Sequence, residues 1–229
     1  MRFTLEGCKE GEILLFDKPL KWTSFDVVNR VRYDLCKYLG IKKLKVGHTG
    51  TLDPLATGLI ILCTGKATKK INDLLVQDKE YIAEITLGAT TPSSDLETEI
   101  DKSYATEHIT EELIKTKIHA YLGTSEQRPP LFSAKKINGV RAYELARAGS
   151  NEELPPKEVT INEIEILNID MPKVTFRVNC SKGTYIRSLA RDIGISLESG
   201  AYLSALKRTK IGDYQLSDAM TIENFKKMI

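Results

Sequence analysis

Between two apolar runs the chain carries Gly47-His48-Thr49-Gly50-Thr51-Leu52-Asp53-Pro54-Leu55, closed by Ala56-Thr57-Gly58. Glycines accept backbone angles that other residues resist, and Pro54 fixes its own φ while restricting Asp53 before it. A segment of this kind folds as a tight loop and aims the one carboxylate of Asp53 in a single direction. Taken in isolation, an Asp-Pro step also fits a structural turn with a capping aspartate.

The flanking pattern sets the fold class. Gly11–Phe16 and Leu59–Cys63 read as short buried strands, and Lys79–Thr90 alternates with Tyr81, Ala83, Ile85 and Leu87 on one face. Helical spacing runs through Val27, Val28, Val31, Leu35, Tyr38 and Leu39, with Thr23 or Ser24 as cap and Gly40 as stop. Further helices are expected over about 67–76, from Thr110 to Gly123, over 141–148, 185–197 and 222–228. Strands are expected over 158–169, 173–180, 201–207 and 210–215. Arg128–Gly139 is proline-led and basic, which predicts a long functional loop. Helices and strands mix without a βαβ rhythm, and no repeat, Walker or dinucleotide motif occurs. The pattern predicts an α+β fold with a mostly antiparallel sheet.

A chain of 229 residues can form one large domain or two small ones. Cys8, Cys36, Cys63 and Cys180 are far apart and form no C-x-x-C pair, which predicts reduced, buried thiols. His108 and His119 have no metal-ligand spacing, and no metal is expected. No apolar run approaches a membrane span and no signal peptide opens the chain, so a cytoplasmic protein is expected. Net charge is only +2, but its distribution is uneven. Between Lys37 and Lys70 there are seven Lys/Arg against Asp53 alone; Arg128–Arg147 has five against Glu144. Arg177–Lys210 has seven against Asp192 and Glu198. If these blocks converge they form a face that tracks phosphates; if they scatter they are ordinary solvated cations.

Several stretches carry a resemblance. The central loop resembles the G-H-x-G-[TS]-L-D-P signature of the tRNA pseudouridine synthases of the B type, which modify the uridine of the TΨC loop. Asp17-Lys18-Pro19 with Thr23-Ser24 is similar to that family's N-terminal motif. Arg128-Pro129-Pro130, Phe132-Ser133-Ala134-Lys135, Gly139, Arg141-Ala142-Tyr143 and Ala146-Arg147 resemble its inserted thumb. Cys180-Ser181-Lys182-Gly183-Thr184-Tyr185-Ile186-Arg187-Ser188-Leu189 and, more weakly, Leu206-Lys207-Arg208-Thr209 continue the match. The resemblance runs from Gly11 to about Met220. Two positions depart from it: Lys21 replaces a glycine, and Pro92 stands where aspartate is usual.

The resemblance implies the pseudouridine synthase fold, as one catalytic domain over 1–229 with a thumb at about 124–150. A separate C-terminal RNA-binding domain, carried by many relatives, is not expected. It also implies an isomerase that breaks the uridine C1′–N1 bond, turns the uracil and rejoins it through C5, with no cofactor. Asp53 is then the nucleophile, or the support of a glycal route. Tyr81 stacks on the base and assists proton movement, and Arg187 is the ion-pair partner of Asp53. His48, Tyr185, Leu206 and Asp95 are expected to contact the extruded nucleotide, and Lys18 to support the loop from behind. Lys135, Lys136, Arg141, Arg147, Lys182 and Arg208 are expected on the RNA. The expected partner is the T-arm of tRNA, with no membrane, no protein partner and a monomeric state. Two other readings stay open here. One is a catalytically silent tRNA-binding module on the same scaffold. The other is a glycosidase or nucleosidase, which commonly needs a second carboxylate that the basic block around Asp53 lacks.

Overall fold

The structure, a computed structural model, describes residues 3–133, 135–137, 139–150 and 152–229. Ala134 of the thumb motif and the side chain of Lys136 lie outside the described residues. The chain divides into two compact units, Met1–Tyr81 with Leu206–Ile229, and Ile82–Ala205.

The first unit is organised by the Ala56–Thr64 strand, which pairs antiparallel with Ile13–Lys18 and with Val46–Thr49. Its apolar run has no polar face because both of its faces are covered. Ile60 and Leu62 join Leu14, Phe16, Val27, Val31 and Phe225 in one cluster. Leu59, Ile61 and Cys63 join Leu74 and Ile211 in another. The Ser24–Tyr38 helix belongs to the first cluster and opens with a reciprocal cap: Thr23 accepts from Asp26 N–H, and Asp26 accepts from Thr23 N–H at 2.8 Å. Leu206, Lys207 and Arg208 pair in parallel with Ala56, Thr57 and Gly58. That pairing sets the end of the Ala201–Ile211 strand directly beside the central loop.

In the second unit the strands Lys173–Cys180, Lys157–Asp170 and Gly123–Gln127 lie side by side in that order. The three pair antiparallel. Val174, Phe176, Val178 and Cys180 alternate inward, as do Ala83, Ile85 and Leu87. The Ile186–Ser196 helix buries Ile186, Leu189, Ala190 and Ile193 and packs against Glu111–His119. The fold is therefore α+β with a mostly antiparallel sheet, as the sequence pattern predicts.

Several boundaries differ from the sequence reading. The two strands expected over 201–215 are one continuous strand, Ala201–Ile211, with the short Tyr214–Gln215 behind it. The polar run Lys207–Lys210 hid the continuity, because ladder pairing rather than hydrophobicity carries the strand through it. The helix expected over 67–76 is a 3-10 turn, Gly65–Lys70, followed by Ile71–Leu75. Val46–Thr49 and Gly123–Gln127 are strands that the sequence reading assigned to loop or helix end. Both are glycine-containing and lack alternation, so their partners define them. The thumb contains a small hairpin, Lys136–Ile137 with Val140–Arg141, and the helix Ala142–Arg147.

Candidate active site

In the first unit the loop around Asp53 is held from two sides. Gly50 turns the chain with φ of +72°, and Ala56 N–H donates to Asp53 O at 3.0 Å, a turn with Pro54 at its second position. On one side stands the segment 18–24. Ser24 Oγ accepts from Leu52 N–H at 2.8 Å and donates to Leu52 O at 3.1 Å. Lys21 N–H donates to Pro54 O at 2.8 Å. Lys21 adopts a left-handed φ of +67°, which explains why a glycine suits this position in the motif. Lys18 is fully buried, and its Nζ donates to Trp22 O at 2.5 Å and Pro19 O at 3.0 Å. Burial lowers Lys18 from 10.5 to about 8, and the Asp53 carboxylate opposes that fall.

On the other side stands Arg208. It is 1% exposed, with Nε donating to Leu59 O at 2.8 Å and Nη2 to Gly50 O at 3.0 Å. The guanidinium also hydrogen-bonds the phenol of Tyr81, which is itself buried. A β-carbon on Gly58, where φ is +100°, would stand 2.3 Å from the Arg208 carbonyl oxygen. Only glycine permits this approach. The expectation that Arg208 meets phosphate fails on this placement, because its cation is enclosed and spent on groups of its own unit. The signal misread was charge without burial; the parallel pairing that buries Arg208 is not visible in a single strand's sequence.

His48 is half-buried with Nδ1 lacking a hydrogen-bond partner. Burial first, and the Arg208 cation second, lower its pKa, so the imidazole is neutral at pH 7. Leu206 is half-buried beside Ala56, and its carbonyl lies 3.5 Å from Thr57 Oγ1. Asp53, His48, Lys18, Tyr81, Leu206 and Arg208 thus fall in one unit, around one loop.

In the second unit Arg187 and Asp95 are each 5% exposed and pair with Nε to Oδ2 at 3.5 Å. Arg187 also donates to Ser93 O at 3.2 Å and to Phe132 O, at the foot of the thumb, at 2.7 Å. Thr91 Oγ1 bonds Asp95 O at 2.6 Å, and Ser94 N–H closes a turn onto Thr91 O at 3.0 Å. Pro92 occupies the second position of that turn, a place that proline suits. Ser94, which closes the turn, adopts a left-handed φ of +59°. Tyr185 stands at the N-cap position of the Ile186–Ser196 helix, and its backbone exchanges two hydrogen bonds with the Gln127 side chain.

The basic side chains of the thumb divide. Arg141 and Arg147 are exposed and lie 5.9 and 5.5 Å from the Tyr143 ring centroid. Arg147 also pairs with Glu97 at 2.7 Å. Lys135 is half-buried and Lys182 exposed. Lys157, which the sequence reading passed over, donates to Gly183 O and stands over the Tyr185 ring at 4.9 Å. Burial and the neighbouring Lys135 cation lower it to about 8. A strand-end lysine has no sequence signal for such a role. Among the described residues no group of three His, Cys, Asp or Glu side chains could hold a metal ion, and no helix is long and apolar enough to cross a membrane.

Comparison with known proteins gives a consistent result. Residues 37–186 match the model of the TruB family pseudouridylate synthase N-terminal domain, and 187–229 that of the tRNA pseudouridylate synthase B C-terminal domain. A tRNA pseudouridine synthase B of Phocaeicola vulgatus is 59% identical over 217 residues, 95% of this chain and 92% of that protein. The protein of the same name from Flavobacterium johnsoniae is 54% identical, with 99% of both covered. Among solved structures, a Cbf5-Nop10-Gar1 complex matches with a TM-score of 0.72 and 29% identity over 96% of this chain. An H/ACA RNP bound to a substrate RNA containing 2'-deoxyuridine matches with a TM-score of 0.71, 26% identity and 98% of this chain covered. The chain spans 54% and 55% of the length of those two matched chains.

Proposed function

Because the chain belongs to the TruB family of pseudouridylate synthases, we propose that it converts uridine to pseudouridine in the TΨC loop of tRNA. The observation that carries the reading is the loop bearing Asp53, clamped by Ser24, Lys21 and Arg208 in a chain matching the family along its length. A loop so held keeps one carboxylate in register with a substrate, which is what positional catalysis needs.

The reaction is a balanced isomerisation. The C1′–N1 bond breaks, uracil rotates, C1′ joins C5, the C5 proton leaves and N1 gains one. Bond breaking builds positive charge on the ribose, as in glycoside hydrolysis, and Asp53 answers it by attack on C1′ or by supporting a glycal route. The target base must first leave its stack, which costs a few kcal/mol, offset by stacking and pocket hydrogen bonds. Tyr81 offers a ring face for the uracil, and neutral His48 a hydrogen-bonding contact that adds no charge. The resemblance pairs Arg187 with Asp53; within its own unit Arg187 stands beside the Asp95 carboxylate. Lys135, Arg141 and Lys182, with Lys157, supply cations for phosphate.

The test is incubation with an unmodified tRNA transcript, followed by chemical mapping of pseudouridine at single-nucleotide resolution. The reading expects one new pseudouridine in the T loop with the unaltered chain and none with Asp53→Asn. Tight binding without any pseudouridine would leave the silent RNA-binding module as the correct account.

A further inference from the structure

Among the described residues the largest fully buried side chain is a cation that the reaction above does not use. Arg208 sits in a strand, 1% exposed, and its guanidinium is distributed over three oxygens: Leu59 O, Gly50 O and the Tyr81 phenol. Two of these belong to the loop that carries Asp53 or to the strand that continues it, and the third is the proposed stacking residue. Nη1 lies 3.4 Å from where a Gly50 β-carbon would be, so the fork fits flush against the turn.

We propose that Arg208 is a positioning residue for the isomerisation, fixing the Gly50 end of the Asp53 loop and the orientation of the Tyr81 phenol together. This inference rests on the reading of Asp53 and Tyr81 as groups that meet the uridine. Guanidinium has no acceptor, so the Tyr81 oxygen must accept from it, and the phenolic hydrogen is turned away from Arg208. One planar fork thereby sets both where the ring lies and which way its hydroxyl points. A lysine cannot do this, because its donors radiate from one point and do not span three separated oxygens. Burial lowers the pKa of Arg208, Tyr81 opposes that fall, and the same cation contributes to the lowered values of Lys18 and His48. Arg208 therefore also acts electrostatically on other side chains around the loop.

The experiment uses the whole chain with tRNA transcript and the variants Arg208→Lys, which keeps charge, and Arg208→Gln, which keeps a planar donor. Single-turnover rate at saturating RNA should fall about 100-fold or more in both, since a misplacement of about 1 Å costs that much. RNA affinity should stay within about threefold and the salt slope should not change, because the side chain meets no phosphate. In protein carrying 13Cζ-tyrosine, the signal assigned by its loss in Tyr81→Phe should titrate at higher pH in Arg208→Gln, since a cationic donor favours the phenolate. A folded variant with a saturated rate within about threefold of the unaltered chain would overturn the proposal. So would a salt slope shallower by about one unit with that rate unchanged, which identifies a phosphate ligand. If neither variant folds, Tyr81→Phe decides, because it keeps the ring. The Arg208 guanidinium 15N resonances should shift on losing the phenol, and unshifted resonances overturn the proposal. Failure of the functional reading looks different: the unaltered chain makes no pseudouridine while the Tyr81–Arg208 resonances still respond.

Discussion

Ser24 and Leu52, 28 positions apart, exchange two hydrogen bonds, and the residue after Leu52 is Asp53. Ser24 is 2% exposed and opens a helix, so the donor and acceptor of Leu52 are tied to a rigid element. Ser24→Ala leaves both backbone groups buried and unpaired, at a cost of about 1–3 kcal/mol. Activity should fall further than stability, with kcat lowered and KM little changed, because the carboxylate loses its register. Urea unfolding beside single-turnover kinetics checks this. Equal kcat in a destabilised variant would make Ser24 purely structural.

Asp53→Asn keeps shape and removes charge. Turnover should drop by several powers of ten, while tRNA affinity and melting temperature stay near those of the unaltered chain. Pseudouridine formation at an ordinary rate in this variant would sink the mechanism.

Arg187 and Asp95 form a buried pair, and removing Asp95 takes that carboxylate away from a buried cation. Asp95→Ala should cost about 3–5 kcal/mol of stability. Arg187→Lys keeps the charge but loses the fork that reaches Ser93 O and Phe132 O, so it should slow turnover and loosen the foot of the thumb. Protease sensitivity of the 128–150 segment, compared with the saturated rate, separates the two effects. Weakened RNA binding with an unchanged rate would make Arg187 a phosphate clamp.

Lys18, lowered to about 8, makes stability depend on pH in a defined window. Between about pH 8 and the ordinary lysine value near 10.5 the unfolded chain binds more protons at this position than the folded one, so stability rises with pH there. Below about pH 8 the destabilisation by the buried ammonium is fully present. Lys18→Met should remove this contribution, so the stability difference between variant and unaltered chain should change across the window. Parallel curves from urea unfolding would show that Lys18 keeps its proton throughout.

Binding should weaken with salt along a line whose slope counts neutralised phosphates, at about 0.7 to 0.9 per contact. Lys135→Ala, Arg141→Ala and Lys157→Ala should each make it shallower by about one unit, and Arg208 variants by none. An unchanged slope in the triple variant would place the RNA elsewhere.

Much of this was legible because it is local. The Asp53 loop is written in glycines and a proline, the Ser24 helix in its cap, and the inward faces of Tyr81 to Leu87 in their alternation. What escaped was set by partners distant in sequence. Arg208 read as a surface cation because nothing nearby announces the parallel pairing that buries it. Lys157 carries no local signal because its neighbours, Lys135 and Gly183, belong to other segments. Val46–Thr49 became a strand only because Ile61–Thr64 lies beside it.

The Gly50–Arg208 hydrogen bond joins residues 158 positions apart, and this has a consequence for the order in which the molecule is made. Pairing between distant segments waits for both to exist, and domains assemble as the chain leaves the ribosome. Nine-tenths of this chain must be synthesised before the clamp on its reactive loop is available. A chain stalled before Leu206 should carry Asp53 and Tyr81 yet fail to modify RNA, and activity in such stalled chains would disprove the dependence.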